Sequence, residues 1–587
     1  MRVLGLSGFN RSQAFKRSLL PGAPQKWTRI CQGMDAAAAL VEDGRVVAAV
    51  AEERLNRQKH TNLLPERAAR YCLEQAGVDL SRVDFVAHGF DYAGYAGYFS
   101  PIPSAKRWYD NVFSPEVVMS DLEAVFGSAF RRERFRPVRH HLAHAASAFR
   151  LSGFPRALVV VADAMGEIHG VSVFDAGPRG IEPLVEMPYP SSIGILYSFI
   201  TMHLGFEFNA DEYKTMGLAP YGNPSRYEEI FASFFEFGEG SWRMNFLEPE
   251  TTDFGRETYE TTRRKMAELF FPAREEGDPI GQEHCDLAAA LQAATDRAMT
   301  RLVPYWMKKL SHENLCLAGG VALNCTTNGR ILGLKEVRHC FIQPAAGDDG
   351  SALGAALQVS HEHGDVPQKM GMPYWGPSSS SDEIEAAFAG APAGTRRTRH
   401  KDLAAAAEAA AEGLAAGRVT AVYQGRMEFG PRALGNRSIL ADPRDPAMRD
   451  RVNAAVKLRE AFRPFAPAVL EERLEEVFEA SGSLPYMLVA VPVRPAWKDR
   501  LPAVTHVDRS ARVQTVTAAQ NAFLHAVLSA FDRRTGVPVL LNTSFNVKGQ
   551  PIVHTPREAL ETFLSTGIDS LFFGNLELSK GGTRASV

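Results

Sequence analysis

The sequence is poor in cysteine, carries almost no net charge and lacks any long apolar run. Its 587 residues include 6 cysteines with no CxxC spacing, which favours buried, reduced thiols over disulfides or structural zinc. The net charge of -3 and pI near 6.6 predict no general attraction to nucleic acid or to an anionic membrane. No apolar stretch reaches the roughly 18 residues of a membrane span, and no signal peptide precedes the first strand. We therefore expect a cytoplasmic protein.

The length exceeds what one hydrophobic core normally organises, so roughly two or three domains are expected. Hydrophobic residues make up 45% of the chain and charged residues 23%, which is ordinary for a globular protein. A stretch rich in proline, glycine and serine at 371–381 interrupts the pattern of helices and strands. It predicts a boundary between one domain at 1–370 and another at 371–587.

Two histidines and two aspartates form the strongest candidate site. His140 and His144 are four residues apart, so in a helix their imidazoles lie on one face and can share a cation. Asp163 follows a strand, and Asp348 lies at another strand-to-helix turn. This ligand set suits Fe(II), Mn(II) or Zn(II) better than Ca(II). Two alternatives stay open: the histidines are only buried, hydrogen-bonded groups, or His141, also a helical neighbour of His144, replaces His140.

The order of strands and turns recurs in the first domain. Apolar runs at 37–41 and 45–50 flank an Asp-Gly turn and predict a hairpin, and a similar strand, turn and hairpin follow from 158 to 187. Two copies of one unit indicate an internal duplication. This is the layout of actin-like ATPase folds, in which a nucleotide lies between two ribonuclease-H-like halves. The basic segment at 10–33 is instead predicted to be an irregular loop, either solvated or facing a substrate.

Several residues of the first domain could bind phosphate groups. Gly319 and Gly320 separate a strand from a helix, where backbone N–H groups and the helix N-terminus favour an anion, and Asn324 follows them. Lys214 could reach a phosphate from another segment. The simpler interpretations are a tight turn and a solvated lysine.

The second domain carries many cations beside glycine, proline and phenylalanine. Together with amide and hydroxyl side chains they would suit a small, doubly charged acyl phosphate, because arginine grips phosphate oxygens in pairs. A set of solvated surface charges is the alternative. The candidate residues are Arg432, Arg437, Lys457, Arg463, Arg512, Asn542, Ser544 and Asn546.

These segments, in this order, resemble the O-carbamoyltransferases of antibiotic and nodulation-factor biosynthesis over essentially the full chain. The matching segments are 38–44, 52–54, 59–60, 140–144, 163–167, 212–222, 319–324, 428–437, 463–467 and 541–546. The resemblance implies an α/β protein. Its N-terminal domain would be actin-like (ASKHA), similar to the tRNA threonylcarbamoyltransferases, and its C-terminal domain would be YrdC-like.

The resemblance also implies a reaction sequence. Carbamoyl phosphate would be hydrolysed to carbamate and phosphate in the second domain, gripped by Lys457, Arg463, Arg512, Asn542 and Ser544. Because carbamate is unstable in water, an enclosed channel to the first domain is expected. There ATP and carbamate would give carbamoyladenylate and pyrophosphate, with Lys59 near the carbamoyl group.

The resemblance places a metal, Fe(II) or else Mn(II) or Mg(II), at the two histidines and two aspartates. A hydroxyl of a natural product, of sugar, aminoglycoside, nucleoside or polyketide type, would then attack the carbamoyl group, and AMP would leave. Metal and cations would offset the charge on the leaving phosphates.

One position departs from the family pattern. The family usually reads His-Asp-Ala after the first strand and its loop, whereas this chain reads Met34-Asp35-Ala36. A thioether cannot accept the acceptor's proton. Either Asp35 or another group therefore serves as base, or the acceptor needs little deprotonation. We interpret this change and the long segment at 10–33 as adaptations to a particular acceptor.

Three other functions are alternatives. A tRNA-modifying transferase is disfavoured by the acidic net charge and the lack of a basic tail. A non-catalytic nucleotide-binding module is disfavoured by the polar residues retained in both halves. A sugar kinase of actin-like fold would release ADP rather than AMP and pyrophosphate. The expected partners are ATP, carbamoyl phosphate and a small hydroxylated acceptor, and a homodimer stays open.

Overall fold

The computed structural model describes residues 1–457 and 459–580. These residues divide into two compact units, one at 1–370 and one that begins at Gly371, so the segment expected to mark a boundary opens the second unit. Both units combine helices with sheets, which confirms the α/β fold class. Within the described ranges, no helix combines the length and apolar character needed to cross a bilayer.

Strands and helices alternate through the first unit. Its strands are β1 Arg2–Leu6, β2 Ala37–Glu42, β3 Arg45–Ala51, β4 Phe85–His88, β5 Phe135–Pro137, β6 Ala157–Gly166, β7 His169–Gly177, β8 Gly180–Pro188, β9 Phe235–Gly238, β10 Ser241–Met244, β11 Asn314–Ala318 and β12 His339–Ile342. Its helices are α1 Ser12–Leu19, α2 Gln25–Thr28, α3 Glu52–Asn56, α4 Glu66–Gln75, α5 Ala96–Phe99, α6 Pro103–Trp108, α7 Pro115–Phe126, α8 His140–Ser152, α9 Ile193–His203, α10 Glu212–Leu218, α11 Glu228–Phe234, α12 Asp253–Thr258, α13 Glu260–Leu269, α14 Gln282–Leu310, α15 Cys325–Leu332 and α16 Asp348–Glu362.

Two five-stranded sheets repeat one strand order in this unit. In the first sheet β3, β2, β1, β4 and β5 lie side by side, with β1 antiparallel to β2 and parallel to β4. The second sheet has the order β8, β7, β6, β11 and β12, in which β6 takes the place of β1. Strand β6 is antiparallel to β7 and parallel to β11. The hairpin of β2 and β3 turns through Asp43 and Gly44, which both have positive φ, as the Asp-Gly pair predicts. The repeated order agrees with the predicted duplication.

Two helices pack against each other and against opposite sheets. Helix α8 follows the last strand of the first sheet but packs on β6 and β11, whereas α16 follows the last strand of the second sheet but packs on β1, β2 and β4. They approach closely because Gly354 of α16 has no side chain: a Cβ there would lie 1.7 Å from the carbonyl oxygen of Ala143. Each sheet therefore supplies a helix that covers the other sheet.

The segment at 10–33 is not the irregular loop that its composition predicts. It contains α1 and α2, and the buried Lys16 of α1 places Nζ 2.7 Å from Glu257 Oε2. Trp108 Nε1 donates to the other oxygen of that carboxylate at 2.9 Å. Sequence composition could not reveal this contact because Lys16 and Glu257 are 241 residues apart. The segment is thus anchored to the first unit by a buried ion pair.

A nine-stranded sheet organises the second unit. Its strands are β13 Thr395–Arg399, β14 Thr420–Tyr423, β15 Arg437–Ala441, β16 Ala466–Leu470, β17 Val489–Pro492, β18 Ser510–Val516, β19 Val539–Ser544, β20 Ser570–Phe573 and β21 Leu576–Lys580. They lie in the order β13, β21, β20, β14, β15, β19, β16, β18 and β17. The helices are α17 Ser381–Ala389, α18 Leu403–Ala415, α19 Ala447–Val452, α20 Leu474–Val477, α21 Ala522–Thr535 and α22 Pro556–Ser565. Strand β19, which is antiparallel to both β15 and β16, carries two of the candidate residues.

Replacing Lys16 with alanine should lower the free energy of unfolding by roughly 3–5 kcal/mol, because the buried Glu257 carboxylate would lose its cation. Lys26→Ala is the matched control in the same segment. Lys26 Nζ also lies 2.9 Å from a carboxylate, that of Glu275, but both side chains are exposed. Its loss should change the free energy by about 1 kcal/mol or less. Urea-induced unfolding measures both variants, and equal effects would contradict the anchoring of this segment by Lys16.

Candidate active site

Four side chains from three elements of the first unit converge. His140 and His144 lie one turn apart at the start of α8. Asp163 lies in β6, and Asp348 is the first residue of α16. One ligand atom from each residue lies within 4.8 Å of the others. We call these four residues the histidine–aspartate cluster; the structure brings together the set that the sequence proposes as metal ligands.

The geometry of the cluster requires a proton or a cation at its centre. The Nε2 atoms of the two histidines are 3.0 Å apart, and His140 Nε2 lies 3.2 Å from Asp163 Oδ2 and 3.5 Å from Asp348 Oδ1. His140 Nδ1 donates to the Gly89 carbonyl oxygen at 2.8 Å, so a neutral His140 presents an unprotonated Nε2 to the carboxylates. Acceptors that face one another repel unless a proton or a cation lies between them. Two imidazoles and two carboxylates fit a divalent transition metal.

The pKa values of the cluster reflect this crowding. Burial lowers the pKa of His140, but the charges and hydrogen bonds of Asp348 and Asp163 outweigh it and raise that pKa well above its usual value. Burial, with His140 nearby, lowers the pKa of His144 to about 3. Burial also raises the pKa of Asp348 to about 6, whereas the histidines outweigh burial at Asp163 and lower its pKa. Without a metal, His140 therefore carries the positive charge.

His141, the alternative ligand, points elsewhere. Its Nδ1 lies 2.7 Å from the hydroxyl of Ser172 in β7. Burial lowers the pKa of His141 well below its usual value, so this ring is neutral. The geometry selects His140 over His141 for the cluster.

Neighbouring residues fix the position of His140. Glu167, at the turn after β6, accepts the backbone N–H of His140 at 2.9 Å, and burial raises the pKa of this carboxyl to about 7. Phe90 stacks on the His140 ring with centroids 3.9 Å apart. A Cβ at Gly166 would lie 2.7 Å from ring atoms of both His140 and His141. No local pattern in the sequence marks Phe90, so its role could not be predicted. Glu167 could have been predicted, because it lies at the turn that follows the strand of Asp163.

The Gly319-Gly320 turn lies next to the cluster. Gly319 has a φ of 85°, and a Cβ there would lie 2.3 Å from the carbonyl oxygen of Ala162. The backbone N–H of Gly320 donates to Asp163 Oδ1 at 3.1 Å. The turn therefore needs Gly319 for its conformation, and Gly320 connects it directly to a cluster residue.

The other two nucleotide-binding candidates of the first unit have partners within the protein. Asn324 caps α15 by accepting the N–H of Thr327 at 3.0 Å. Lys214 Nζ lies 2.9 Å from Asp211 Oδ2, and the lysine side chain is mostly buried. The structure does not bring either residue into contact with the cluster.

The segment Met34-Asp35-Ala36 lies near the cluster. Asp35 Oδ1 lies 2.8 Å from His60 Nδ1. Burial would raise the pKa of Asp35, but His60, together with Lys59, lowers it. The negative charge of Asp35 in turn contributes to the raised pKa of Asp348, after burial of that group itself. The candidate catalytic residues Asp35 and Lys59 are thus close enough to interact electrostatically. Asp35 is also close enough to the cluster to interact with it.

Three candidates of the second unit meet at the end of β19. Lys457 Nζ lies 3.2 Å from the Ser544 hydroxyl and 2.8 Å from Asn546 Oδ1. Asn542 donates from Nδ2 to Gln514 Oε1 at 2.7 Å. Its Oδ1 is buried without a partner among the described residues. An ammonium group, a hydroxyl and an amide group therefore meet where this strand ends.

The four candidate arginines have different surroundings. Arg437 is fully buried over the ring of Tyr423 at 3.6 Å and donates to backbone carbonyl oxygens at 2.9 to 3.2 Å. Gripping a phosphate would require these hydrogen bonds to break. The remaining candidates are Arg432 in the loop before β15, Arg463 in the loop before β16 and Arg512 in β18.

Family comparisons define the class of the protein. The family described as carbamoyltransferase N-terminus matches residues 31–96 and 108–357, and the family described as carbamoyltransferase C-terminus matches residues 411–580. These matches fall in the first and second units respectively. The chain is a carbamoyltransferase, an enzyme that transfers carbamoyl groups.

Individual relatives specify the family further. Nodulation protein NolNO of Sinorhizobium fredii is 41% identical over 93% of this chain and 79% of that protein. The 3'-hydroxymethylcephem-O-carbamoyltransferase of Streptomyces clavuligerus is 30% identical over 89% of this chain and 93% of that protein. A crystal structure of T. kodakarensis HypF covers 62% of this chain and 48% of its own at 13% identity and a TM-score of 0.32, too weak a similarity to assign a fold. The chain belongs to the O-carbamoyltransferase family, which confirms the resemblance carried by its motifs.

Gly166→Ala should displace the His140 and His141 rings and lower the free energy of unfolding by roughly 1–3 kcal/mol, because the new Cβ would overlap both rings. Gly177→Ala is the control in the same sheet, since its Cβ would meet only the flexible Arg156 side chain at 3.2 Å. Urea-induced unfolding and histidine NMR resonances report the two effects. Unchanged histidine resonances in Gly166→Ala would show that this close approach does not position the rings.

Proposed function

We propose that this enzyme transfers a carbamoyl group from carbamoyl phosphate to a hydroxyl group of a natural product, with ATP as co-substrate and carbamoyladenylate as the activated intermediate. The convergence of the histidine–aspartate cluster beside the Gly319-Gly320 turn supports this most strongly, because two imidazoles and two carboxylates can hold a metal that offsets the charge of a nucleotide phosphate. The name of the Streptomyces relative supports a hydroxyl acceptor.

For the first unit we infer an actin-like arrangement of two ribonuclease-H-like halves. The repeated strand order of the two sheets and the exchange of α8 and α16 between them support a duplicated unit with a site at its centre. For the second unit we infer a YrdC-like fold, which rests on the sequence resemblance alone.

In the first unit, the cluster would hold Fe(II), with Mn(II) or Mg(II) as alternatives, and this ion would offset negative charge on phosphate oxygens. Gly320, whose N–H donates to Asp163 Oδ1, would hold that carboxylate in place beside them. Lys59, close enough to Asp35 to lower its pKa, would neutralise charge near the carbamoyl group. ATP and carbamate would give carbamoyladenylate and pyrophosphate, and attack by the acceptor hydroxyl would release AMP.

In the second unit, carbamoyl phosphate would be hydrolysed to carbamate and phosphate. Lys457 is positioned for this by the oxygens of Ser544 and Asn546, from which it can turn toward an incoming phosphate. Arg463 and Arg512 would supply the further positive charge that a doubly charged phosphate needs.

The proposed metal site predicts a selective loss of binding. His144→Ala should weaken Mn(II) binding by more than about 100-fold, because it removes a buried imidazole of the cluster. His141→Ala is the matched control, since it removes a buried imidazole of the same helix that faces Ser172 instead. Calorimetric titration of each protein with Mn(II) makes the measurement. The same affinity in both variants would rule out the proposed ligand set.

The proposed reaction predicts which products form without an acceptor. ATP, Mn(II) and carbamoyl phosphate together should release pyrophosphate, and omission of carbamoyl phosphate should abolish it. Arg512→Ala should abolish most of this release, whereas Arg557→Ala should not, because Arg557 is exposed and pairs with Glu561 on its own helix at 2.9 Å. Chromatography of the nucleotides identifies the products. Formation of ADP in place of pyrophosphate and AMP would refute adenylate formation and favour a kinase.

A further inference from the structure

Asp35 and His60 form a hydrogen-bonded pair whose two members differ in exposure. Their contact joins Asp35 Oδ1 to His60 Nδ1 at 2.8 Å. The aspartate side chain is 37% exposed and the histidine side chain 20%. No second hydrogen bond of the Asp35 carboxylate occurs among the described residues, so Oδ2 is the end of the pair that remains available to a ligand.

The backbone of both residues has a positive φ, a conformation that residues other than glycine rarely adopt. Asp35 has a φ of 53° and His60 a φ of 54°. The N–H of His60 donates to Glu53 Oε2 at 2.9 Å, and the N–H of Ala36 donates to the Thr61 carbonyl oxygen at 2.9 Å. The two segments are therefore tied together on either side of the pair. Strained residues of this kind persist where the surrounding structure fixes them, and they occur most often at functional sites.

The position before Asp35 cannot handle a proton in this chain. Met34 is buried, and its sulfur lies 3.6 Å from Gln13 Nε2 in α1. The sulfur of a thioether is too weak a base to accept a proton from a hydroxyl group. The Asp35–His60 pair is therefore the nearest proton-accepting arrangement to this position along the chain.

We propose that Asp35 is the base of the transfer step and that His60 is the residue that positions it. This rests on the proposed transfer to a hydroxyl group. Asp35 Oδ2 takes the proton of the acceptor hydroxyl while the acceptor oxygen forms a bond to the carbamoyl carbon. The bond between that carbon and the phosphate oxygen of the adenylate breaks, and its electron pair leaves on AMP. An aspartate accepts the proton of a substrate hydroxyl in protein kinases in the same way.

The surroundings of the pair set its protonation. The charged and titratable groups that face it are Arg29, Glu53, Lys59, Asp348 and Asp349. Burial would raise the pKa of Asp35, but His60 outweighs burial by its charge and hydrogen bond, and the pKa is lowered. Asp35 is therefore ionised at neutral pH, and His60, whose pKa is raised, holds the positive charge opposite it.

The test separates adenylate formation from transfer by using water as the acceptor. The wild-type protein, given ATP, Mn(II) and carbamoyl phosphate, should release pyrophosphate and then AMP as water takes the carbamoyl group. Asp35→Asn should retain the first burst of pyrophosphate but release AMP roughly 100-fold more slowly. Hydroxylamine, a nucleophile that needs no base, should restore AMP release in this variant.

His60→Gln tests the positioning role through the pH profile. Loss of the imidazole should raise the pKa of Asp35, so the low-pH side of the pH profile of AMP release should move to higher pH. A purely structural role would lower the rate without moving this side of the profile. His312→Gln is the matched control, because His312 makes the same 2.8 Å contact to an aspartate, Asp175, before the start of β11. It should leave the low-pH side of the profile in place.

The outcomes distinguish this inference from the proposed function. Wild-type protein that releases no pyrophosphate would refute the proposed function itself. An Asp35→Asn protein that releases AMP at the wild-type rate, or a His60→Gln protein with an unmoved low-pH side of the profile, would overturn the assigned roles while the proposed function stands. Wild-type protein that forms pyrophosphate but never AMP would also overturn them, since an accessible base should activate water.

Discussion

Hydrogen-bond acceptor atoms of four side chains face one another in the first unit, and a proton or a cation must lie among them. The cluster holds two imidazoles and two carboxylates whose ligand atoms lie within 4.8 Å of one another, and three of its four residues are buried. Water screens such a buried group poorly, so a proton or a cation must offset the repulsion between its acceptor atoms. The packing of α8 against α16 keeps the cluster residues of the two helices close together. The helices can approach because Gly354 has no side chain. The chemistry and the packing of this unit therefore depend on the same contact.

Helix N-termini add a second constraint. His140 begins α8 and Asp348 begins α16, so both stand where unpaired N–H groups and the helix dipole favour negative charge. A cation alone would be unfavourable there, and the carboxylates of Asp163 and Asp348 offset that effect. Glu167 acts in the same sense, because its carboxylate accepts the N–H of His140. This arrangement supports our proposal that a metal at the cluster is shared with negatively charged phosphate oxygens.

Local patterns predicted those features whose causes are local. The spacing of His140 and His144 fixes their common face, and the Asp-Gly pair at 43–44 fixes the hairpin. Contacts between distant segments could not be predicted in this way. Lys16 is buried because Glu257 lies opposite it, and no feature of the segment at 10–33 reports that partner. Arg437 shows the same limit, because a buried arginine that braces backbone carbonyls and an arginine that binds phosphate look alike in sequence.

The helices at 10–33 and the segment Met34-Asp35 are physically connected. The buried ion pair of Lys16 with Glu257 fixes α1, and α1 places Gln13 against the sulfur of Met34. Met34 is followed directly by Asp35, whose carboxylate is held by His60. A change in the inserted helices would therefore alter the packing beside the residue to which we assign the acceptor's proton. The helices at 10–33 therefore connect to Asp35 through Met34, and His60 supplies the imidazole that is the hydrogen-bond partner of Asp35.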